Sequence, residues 1–496
     1  MISTRKAKPL FAGLSVAAWA ALAAIAFAGE APLELADRRE LLIDRHLIES
    51  VRGVHLHLCE PHDEGPVLQF DKPWEGVFCG YCTLIRDGSR YRLYYRGKPK
   101  AEPDGQGEVT CLAESDDGIH WTKPQLGLVE WQGNRDNNIV LAARNLSHNF
   151  SPLLDANPAA RPEERYKALA GTMATGLVAF VSPDGRTWHK RREEPVIAHS
   201  QVPFPYMFDS QNLAFWSTSE KKYIAYFRVF QGGIRRICRA TSDDFLHWSG
   251  VQLMEYRDAV GGPAPIEHLY TNQTHPYFRA PQIYVAIAAR FMKGRQVLSE
   301  AEARATHVDP KYFKDTSDAI FMTTRGGGHY DRVFLSSFIR PGIGAQNWVS
   351  RTNYPALNVV QTSPTEMSVY VNQDYAQPTA HLRRYSLRLD GFSSLRADYA
   401  GGEAVSKPLT FQGNRLLLNF STSAAGGIRV ELQDATGRPI PGFTLADSIE
   451  AIGNEIERAV RWKSGHDVGT LAGKAIKMRL VMKDADVFAL RFASDH

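Results

Sequence analysis

The sequence predicts an all-β protein, a five-bladed β-propeller over residues 30–400 followed by a C-terminal β-sandwich over residues 401–496. Three observations predict it. A turn ending in an aromatic residue recurs along the chain, alternating apolar segments of strand length precede the copies, and the repeat stops after Ala400-Gly401-Gly402.

The first residues are read apart from the fold. Arg5, Lys6 and Lys8 precede an apolar run from Leu10 to Phe27, and Ala26-Phe27-Ala28 supplies an A-x-A cleavage site. Residues 1–28 are therefore expected to be a signal peptide, with a mature chain starting near Gly29 that is secreted or periplasmic and meets no membrane after cleavage. The formal charge of +4 on 496 residues falls to about +1 without those three cations. With no Lys/Arg run besides, a nucleic-acid partner is not expected. Five cysteines, Cys59, Cys79, Cys82, Cys111 and Cys238, are too few for a disulfide scaffold in a chain of this size. Cys79 and Cys82 form a C-x-x-C, but in a strand-like run rather than at a helix start, which argues against redox or zinc chemistry.

The turn runs from Ser115 through Asp116-Asp117-Gly118 to Trp121, and returns as Ser182 to Trp188 and as Ser242 to Trp248. A fainter copy spans Thr324 to Tyr330. Ser and Asp side chains satisfy turn amides, Gly takes the positive φ, and the aromatic ring tucks under the hairpin. Burial of Trp121, Trp188 and Trp248 at equivalent places is the expectation. Tyr91–Arg96, Tyr166–Ala170, Tyr223–Phe227, Gln282–Ile287 and Glu366–Val371 read as the second strands of five four-stranded blades, and Leu382–Leu387 as the next strand of the fifth. Two stretches depart from the pattern: Asp155–Arg165 is a Pro- and Ala-rich loop, and Ser299–Phe313 has the composition of a short surface helix. Beyond residue 400, segments such as Arg415–Phe420, Ile428–Leu432 and Lys477–Met482 alternate with turns, and this accessory sandwich is expected to pack on the propeller, with Trp462 a minor candidate for glycan binding.

In a propeller the innermost strand of each blade runs along the axis, so residues just before those strands converge on one mouth. The segments concerned are Asp71–Gly76, His148–Phe150, Phe208–Asn212, Glu267–Gln273 and Trp348–Tyr354. They are dense in carboxylates, amides and aromatic rings, the mixture that pairs with sugar hydroxyls and covers a sugar's C–H face. Glycoside cleavage needs a protonated carboxyl for the leaving oxygen and a second carboxylate to attack or to activate water. Glu75, Asp209 and Glu267 are the carboxylates chosen as catalytic. Trp74, His148, Asn149, Gln211, Asn212, His268, Tyr270, Asn272, Gln273, Arg351 and Asn353 are the candidates for substrate binding. Arg351 suits a carboxylated or sulfated sugar, whose anion fits a planar guanidinium, although a structural ion pair would use the same residue. The histidines show no metal-ligand spacing, so no cofactor is expected beyond a calcium ion that the axis could hold.

With these features the chain resembles the five-bladed propeller glycosidases, the grouping of glycoside hydrolase families 32 and 43, and specifically an exported branch similar to the family 32 amino-terminal domain. The resemblance runs from Leu35 to Tyr399, and the appended sandwich matches the family 32 layout. Where that family carries W-M-N-D-P-N-G, R-D-P and E-C, this chain has Pro73-Trp74-Glu75-Gly76, Arg86-Asp87 and Glu267-His268. The resemblance implies a three-carboxylate axial site, with Glu75 as nucleophile or base, Asp209 as transition-state stabiliser and Glu267 as acid. A glycan-binding propeller without catalysis is the alternative. A sialidase-like enzyme is another, with Arg279, Arg340, Arg351 and Tyr354 as its candidates.

Overall fold

The computed structural model describes residues 31–494 except 102 and 104, so the expected signal peptide lies outside the described residues. Five blades surround one axis. The first three are regular four-stranded antiparallel sheets, whose inner strands are Gly80–Asp87, Ser151–Leu154 and Leu213–Ser217. Their second strands, Arg90–Gly97, Tyr166–Ala170 and Lys222–Gln231, fall where the alternating segments predict them. These strands are buried on both faces because each blade is packed between two others, and Tyr94, Tyr166 and Tyr226 are fully buried within them.

The last two blades depart from the expected four strands. In the fourth, the inner strand is split into Leu269–Thr271 and Thr274–Tyr277 around Gln273, which sits at φ +51°, and Glu255–Arg257 adds a parallel strand at the outer edge. In the fifth, Tyr354–Pro355 and Val360–Gln361 share the inner position, and the outermost strand is His62–Gln69, which comes from before the first blade and pairs antiparallel with His381–Arg388. That pairing closes the ring, with His62–Gln69 as the outer edge of the fifth sheet.

The aromatic turns join the third strand of a blade to its fourth. Ser115 Oγ accepts from Gly118 N at 2.9 Å, and Asp117 Oδ1 accepts from the amides of Ile119 and His120 at 2.8 Å. Gly118 and Gly185 take φ +77° and +70°, and in the third copy Phe245 is held at +68° without being glycine. Each of the first two turns is also a staple between blades: Tyr370 of the fifth blade donates to Gly118 O of the first, and Tyr94 of the first donates to Gly185 O of the second at 2.6 Å. Trp188 and Trp248 are buried, but Trp121 is only half-buried and its indole N–H has no partner, a departure from the expected equivalence.

The expected domain limits are redrawn by strand pairing. Leu33–Ala36, Arg39–Leu41, Ile48–Arg52 and Val54–Leu58 do not belong to the propeller; they pair with Ser393–Ala397, Gly402–Ser406, Leu409–Phe411 and Ile476–Ala493 in one ten-stranded sheet. Its longest pair is Arg415–Asp434 with Ile476–Ala493, whose register breaks between Thr422 and Gly427. Leu416, Leu418 and Phe420 on one side of the break face the same core as Ile428, Val430 and Leu432 on the other, so the sheet folds over itself as a sandwich. Trp462 is buried in that core, with its N–H on Val430 O at 3.0 Å and its ring edge-on to Phe443, which removes it as a glycan platform.

The helical stretch condenses to Glu300–Ala305, started by a capping box in which Ser299 and Glu302 exchange hydrogen bonds. Its Ala303 packs with Leu298, Phe313, Phe78, Val349 and Tyr375, which anchors Tyr312 at the axial mouth.

Candidate active site

At the mouth where the inner strands begin, Gly80, Tyr81, Arg96, His148, Asp209, Tyr270, Arg351, Tyr354, Asn372 and Tyr375 enclose a cavity. It is narrow, with about 390 Å³ of empty volume between the lining side chains. The larger cavities lie along the seam between propeller and sandwich or at the other end of the axis. That far end is mainly apolar, and the imidazole at its wall, His275, is bonded through both nitrogens to the backbone at Gln273 O and Val359 N.

Backbone strain concentrates at the near mouth. Tyr81, Phe208, Gln273, Arg351, Asn353, Asp374 and Ala376 all take positive φ without being glycine, and they belong to or immediately border the inner-strand loops or the strand behind them. Phe208 so placed turns the following residue, Asp209, into the cavity.

Asp209 is the one carboxylate among the described residues that lines this cavity. Its Oδ2 accepts from Arg228 at 2.5 Å and its Oδ1 lies 3.6 Å from His148 Nε2, an ion-pair contact too long for a hydrogen bond. About 51% of its side-chain surface is open. Burial of the carboxyl works to raise its pKa, but the Arg228 guanidinium and the His148 ring outweigh this and hold it well below the usual carboxylate range. His148 is 1% exposed, and its Nδ1 meets Glu108 at 2.9 Å. Burial opposes its charge, yet the two carboxylates, Asp209 and Glu108, prevail and raise its pKa above the ordinary imidazole value. Glu108 is fully enclosed, with Lys98 Nζ at 2.9 Å; burial works against ionisation, but its bond to His148 and the charge of Arg96 bring it down to about 2. The site is thus a charge chain, Glu108 to His148 to Asp209 to Arg228.

The other two chosen carboxylates are elsewhere. Glu75 is 0% exposed and spent on its own loop, accepting from Lys72 N at 2.9 Å and Tyr95 Oη at 2.6 Å and pairing with Lys123 at 2.7 Å. Glu267 does not line the cavity; its oxygens pair with Arg290 at 3.3 Å and Arg332 at 2.5 Å. The three-carboxylate assignment is therefore corrected to Asp209 alone, because the loops of the first and fourth blades reach the axis through Tyr81 and Tyr270 instead.

Among the proposed binding residues, His148, Tyr270 and Arg351 line the cavity. The amides mostly hold backbone. Asn149 Nδ2 donates to Gly171, Phe208 and Ser210 carbonyls, and Asn212 Nδ2 to Gly171 and Phe208. Gln211 bonds Thr83 and Gln273, and Gln273 also reaches Pro355 O. Asn272 accepts from Thr274 N, and Asn353 donates to Ser317 O and Asn347 O. Trp74 bonds Asn138, and His268 accepts from Arg235 N. These eight are corrected from binding to support: their polar groups are engaged mainly by the backbone and by one another around the crowded axis, with Asn212 Oδ1 and Gln273 Oε1 the buried oxygens among them that stay unpartnered. Of the sialidase candidates, Arg279 pairs with Asp390 and Glu457 at the domain seam and Arg340 lines a different cavity.

Sequence reasoning missed Tyr81, Arg96, Asn372, Tyr375 and Glu108. Tyr81 lies inside the C-x-x-C, whose cysteines are buried and unpaired, and Arg96 closes the predicted strand Tyr91–Arg96 on the same face as Arg92, where a charge fits the alternation and gives no signal. Among the lining side chains, His148 Nε2, Tyr354 Oη and Asn372 Oδ1 are buried polar atoms without a hydrogen-bond partner, in residues 1%, 8% and 2% exposed. Among the described residues no group of three His, Cys, Asp or Glu side chains forms a metal cluster.

No family model matches the chain, and no curated protein matches it in sequence. Solved structures do. A β-1,2-mannobiose phosphorylase from Listeria innocua, in complex with β-1,2-mannobiose, is 10% identical over 67% of this chain and 97% of its own, with a TM-score of 0.44. A family 32 β-fructofuranosidase from Bombyx mori is 11% identical over 86% of this chain and 94% of its own, TM-score 0.41. A fructofuranosidase from Schwanniomyces occidentalis, complexed with fructosylnystose, is 12% identical over 87% and 98%, TM-score 0.37.

Proposed function

We propose that the protein is an exported carbohydrate-active enzyme that breaks a glycosidic bond at the propeller axis, with Asp209 as the carboxylate at the reacting centre. The observation that carries this is the axial cavity itself, where one ionised carboxylate faces buried polar atoms that lack partners. Unsatisfied buried donors and acceptors cost about 1–3 kcal/mol each, a cost that a polyhydroxylated ligand would relieve. Asp209, held ionised, is suited to attack an anomeric carbon or to stabilise positive charge developing there, and unsuited to donate a proton. His148, whose proton is favoured by two carboxylates, is the group that holds a proton beside it. The cavity must widen to admit a sugar ring, and the aromatic side chains of Tyr81, Tyr270 and Tyr375 are the walls that would move.

Binding without cleavage is the second reading, favoured by one specific observation: only one carboxylate lines the cavity, where two are usual for glycoside hydrolysis. Release of reducing sugar from a panel of neutral and acidic oligosaccharides separates the two. Cleavage by the wild type, reduced by roughly 10² to 10⁴ in Asp209→Asn with binding retained, supports the enzyme. Binding with no cleavage of any member supports the second reading.

A further inference from the structure

We infer that the axial site selects a sugar bearing an anionic group, a carboxylate or a sulfate, and that Arg351 is the residue that holds it. The inference rests on the reading of the cavity as a carbohydrate site and adds the substrate class.

Around the cavity the cations other than Arg351 and its neighbour Arg235 lie within ion-pair distance of a carboxylate. Arg228 is taken by Asp209, and Lys98 and His148 by Glu108. Arg96 is engaged by Phe78 O and lies 4.0 Å from Glu108. Arg351 lines the same cavity, and among the described residues no carboxylate comes within ion-pair distance of it. What it touches is aromatic: Nη1 donates to Tyr312 Oη at 3.2 Å, and its guanidinium lies 4.8 Å from the centre of the Tyr312 ring and 5.5 Å from that of Tyr270. Arg235 packs on the same Tyr270 ring at 4.9 Å and also has no ion pair among the described residues, so positive charge exceeds negative there. A half-buried guanidinium held on ring faces, with donors left over, is a site waiting for an anion.

The arrangement is built and not incidental. Arg351 is held at φ +61°, a conformation that turns its side chain out of the strand it precedes. Tyr312 reaches it from the insertion in the fourth blade, whose backbone is tied down by Ser350 N on Tyr312 O at 2.7 Å. Three residues on, Tyr354 presents a buried hydroxyl without a partner, a second donor for the same anion. Asn372 Oδ1, an unpartnered acceptor, suits a neighbouring sugar hydroxyl and not the anion, which makes the pair of signals directional.

Calorimetric titration tests this with matched probes: methyl glucuronoside against methyl glucoside, and galactose 6-sulfate against galactose. The anionic member of at least one pair should bind the wild type about 10- to 100-fold more tightly, the range that one charge-assisted contact supplies. Which pair shows it identifies the anion. Arg351→Met should abolish the preference, so that the anionic and neutral members of a pair bind alike, and Arg351→Lys, which keeps the charge but not the fork, should restore part of it. Circular dichroism shows that each variant is folded, and if Arg351→Met fails to fold, the preference in Arg351→Lys and its steeper loss with salt are the readout. Equal affinity for both members of each pair, or a preference that survives Arg351→Met, overturns the anion inference and leaves the carbohydrate reading standing. No binding of any saccharide overturns both.

Discussion

Asp209 and His148 face each other with opposite shifts, and the signs fix a pH profile. Asp209, with its pKa depressed, stays ionised through mildly acidic solution and sets no limb there. His148, with its pKa raised, keeps its proton below the ordinary imidazole value of 6.5 and loses it as pH rises through the folded-state value. Activity on any cleaved substrate is therefore expected to hold at mildly acidic pH and to fall on the alkaline side above 6.5. His148→Gln should remove that alkaline limb, and a limb that persists in kcat/KM would place the titrating group elsewhere. Glu108 adds a stability signature. Its pKa is lowered from 4.5 to about 2, so the stabilisation it contributes is fully present above 4.5 and is lost as pH falls toward 2. Urea midpoints measured across that window should fall less steeply in Glu108→Gln than in the wild type.

At the scale of the element, the recurrent turn separates into copies of unequal weight. Trp188 packs against Phe150, Tyr94 and Tyr166 and donates to Gly185 O, so it is shared by two blades. Trp188→Ala is expected to cost roughly 3 to 5 kcal/mol, as truncation of a buried aromatic does. Trp121, half-buried with an unpartnered N–H, should cost clearly less, and equal losses in chemical denaturation would contradict the difference in burial. The motif was legible because its chemistry is local: a serine, an aspartate and a positive φ determine a turn wherever they occur. Burial of the ring depends on the neighbouring blade, and the fifth blade covers Trp121 less fully than the first covers Trp188.

At the scale of the molecule, the two domains are interleaved, since strands from before the first blade complete the C-terminal sandwich. One buried carboxylate ties them. Asp390 bonds Tyr277 at 2.8 Å and Arg279 at 3.1 Å from the fourth blade, and Arg39 at 3.2 Å and Asn419 at 2.9 Å from the sandwich. Asp390→Ala would leave the guanidiniums of Arg39 and Arg279 to Glu457 alone and remove the acceptor of Tyr277 and Asn419, and is expected to destabilise by about 1.5–3 kcal/mol. Cutting the chain at residue 400 should yield neither a folded propeller nor a folded sandwich, because residues 33–58 would keep an unpaired sheet edge and the C-terminal piece would lack its partners. A cooperative unfolding transition from either fragment alone would overturn this.

By itself the sequence determined the fold class, the number of blades and the place of their second strands, because alternation and turn chemistry are written in neighbouring residues. It also located four of the loops that reach the axis, and with them His148, Asp209, Tyr270 and Arg351. Only the tertiary structure decided which side chains those loops turn inward. A loop of five or six residues can aim any of its side chains at the axis, and the choice rests on positive-φ backbone at Tyr81, Phe208 and Arg351 and on which carboxylates are claimed by cations nearby. Lys123 claims Glu75 from 48 residues away, and Arg332 claims Glu267 from beyond a whole hairpin. Those pairings are made across the fold, where the linear order of residues carries no distance, and they separate a carboxylate that braces a loop from one that faces a ligand.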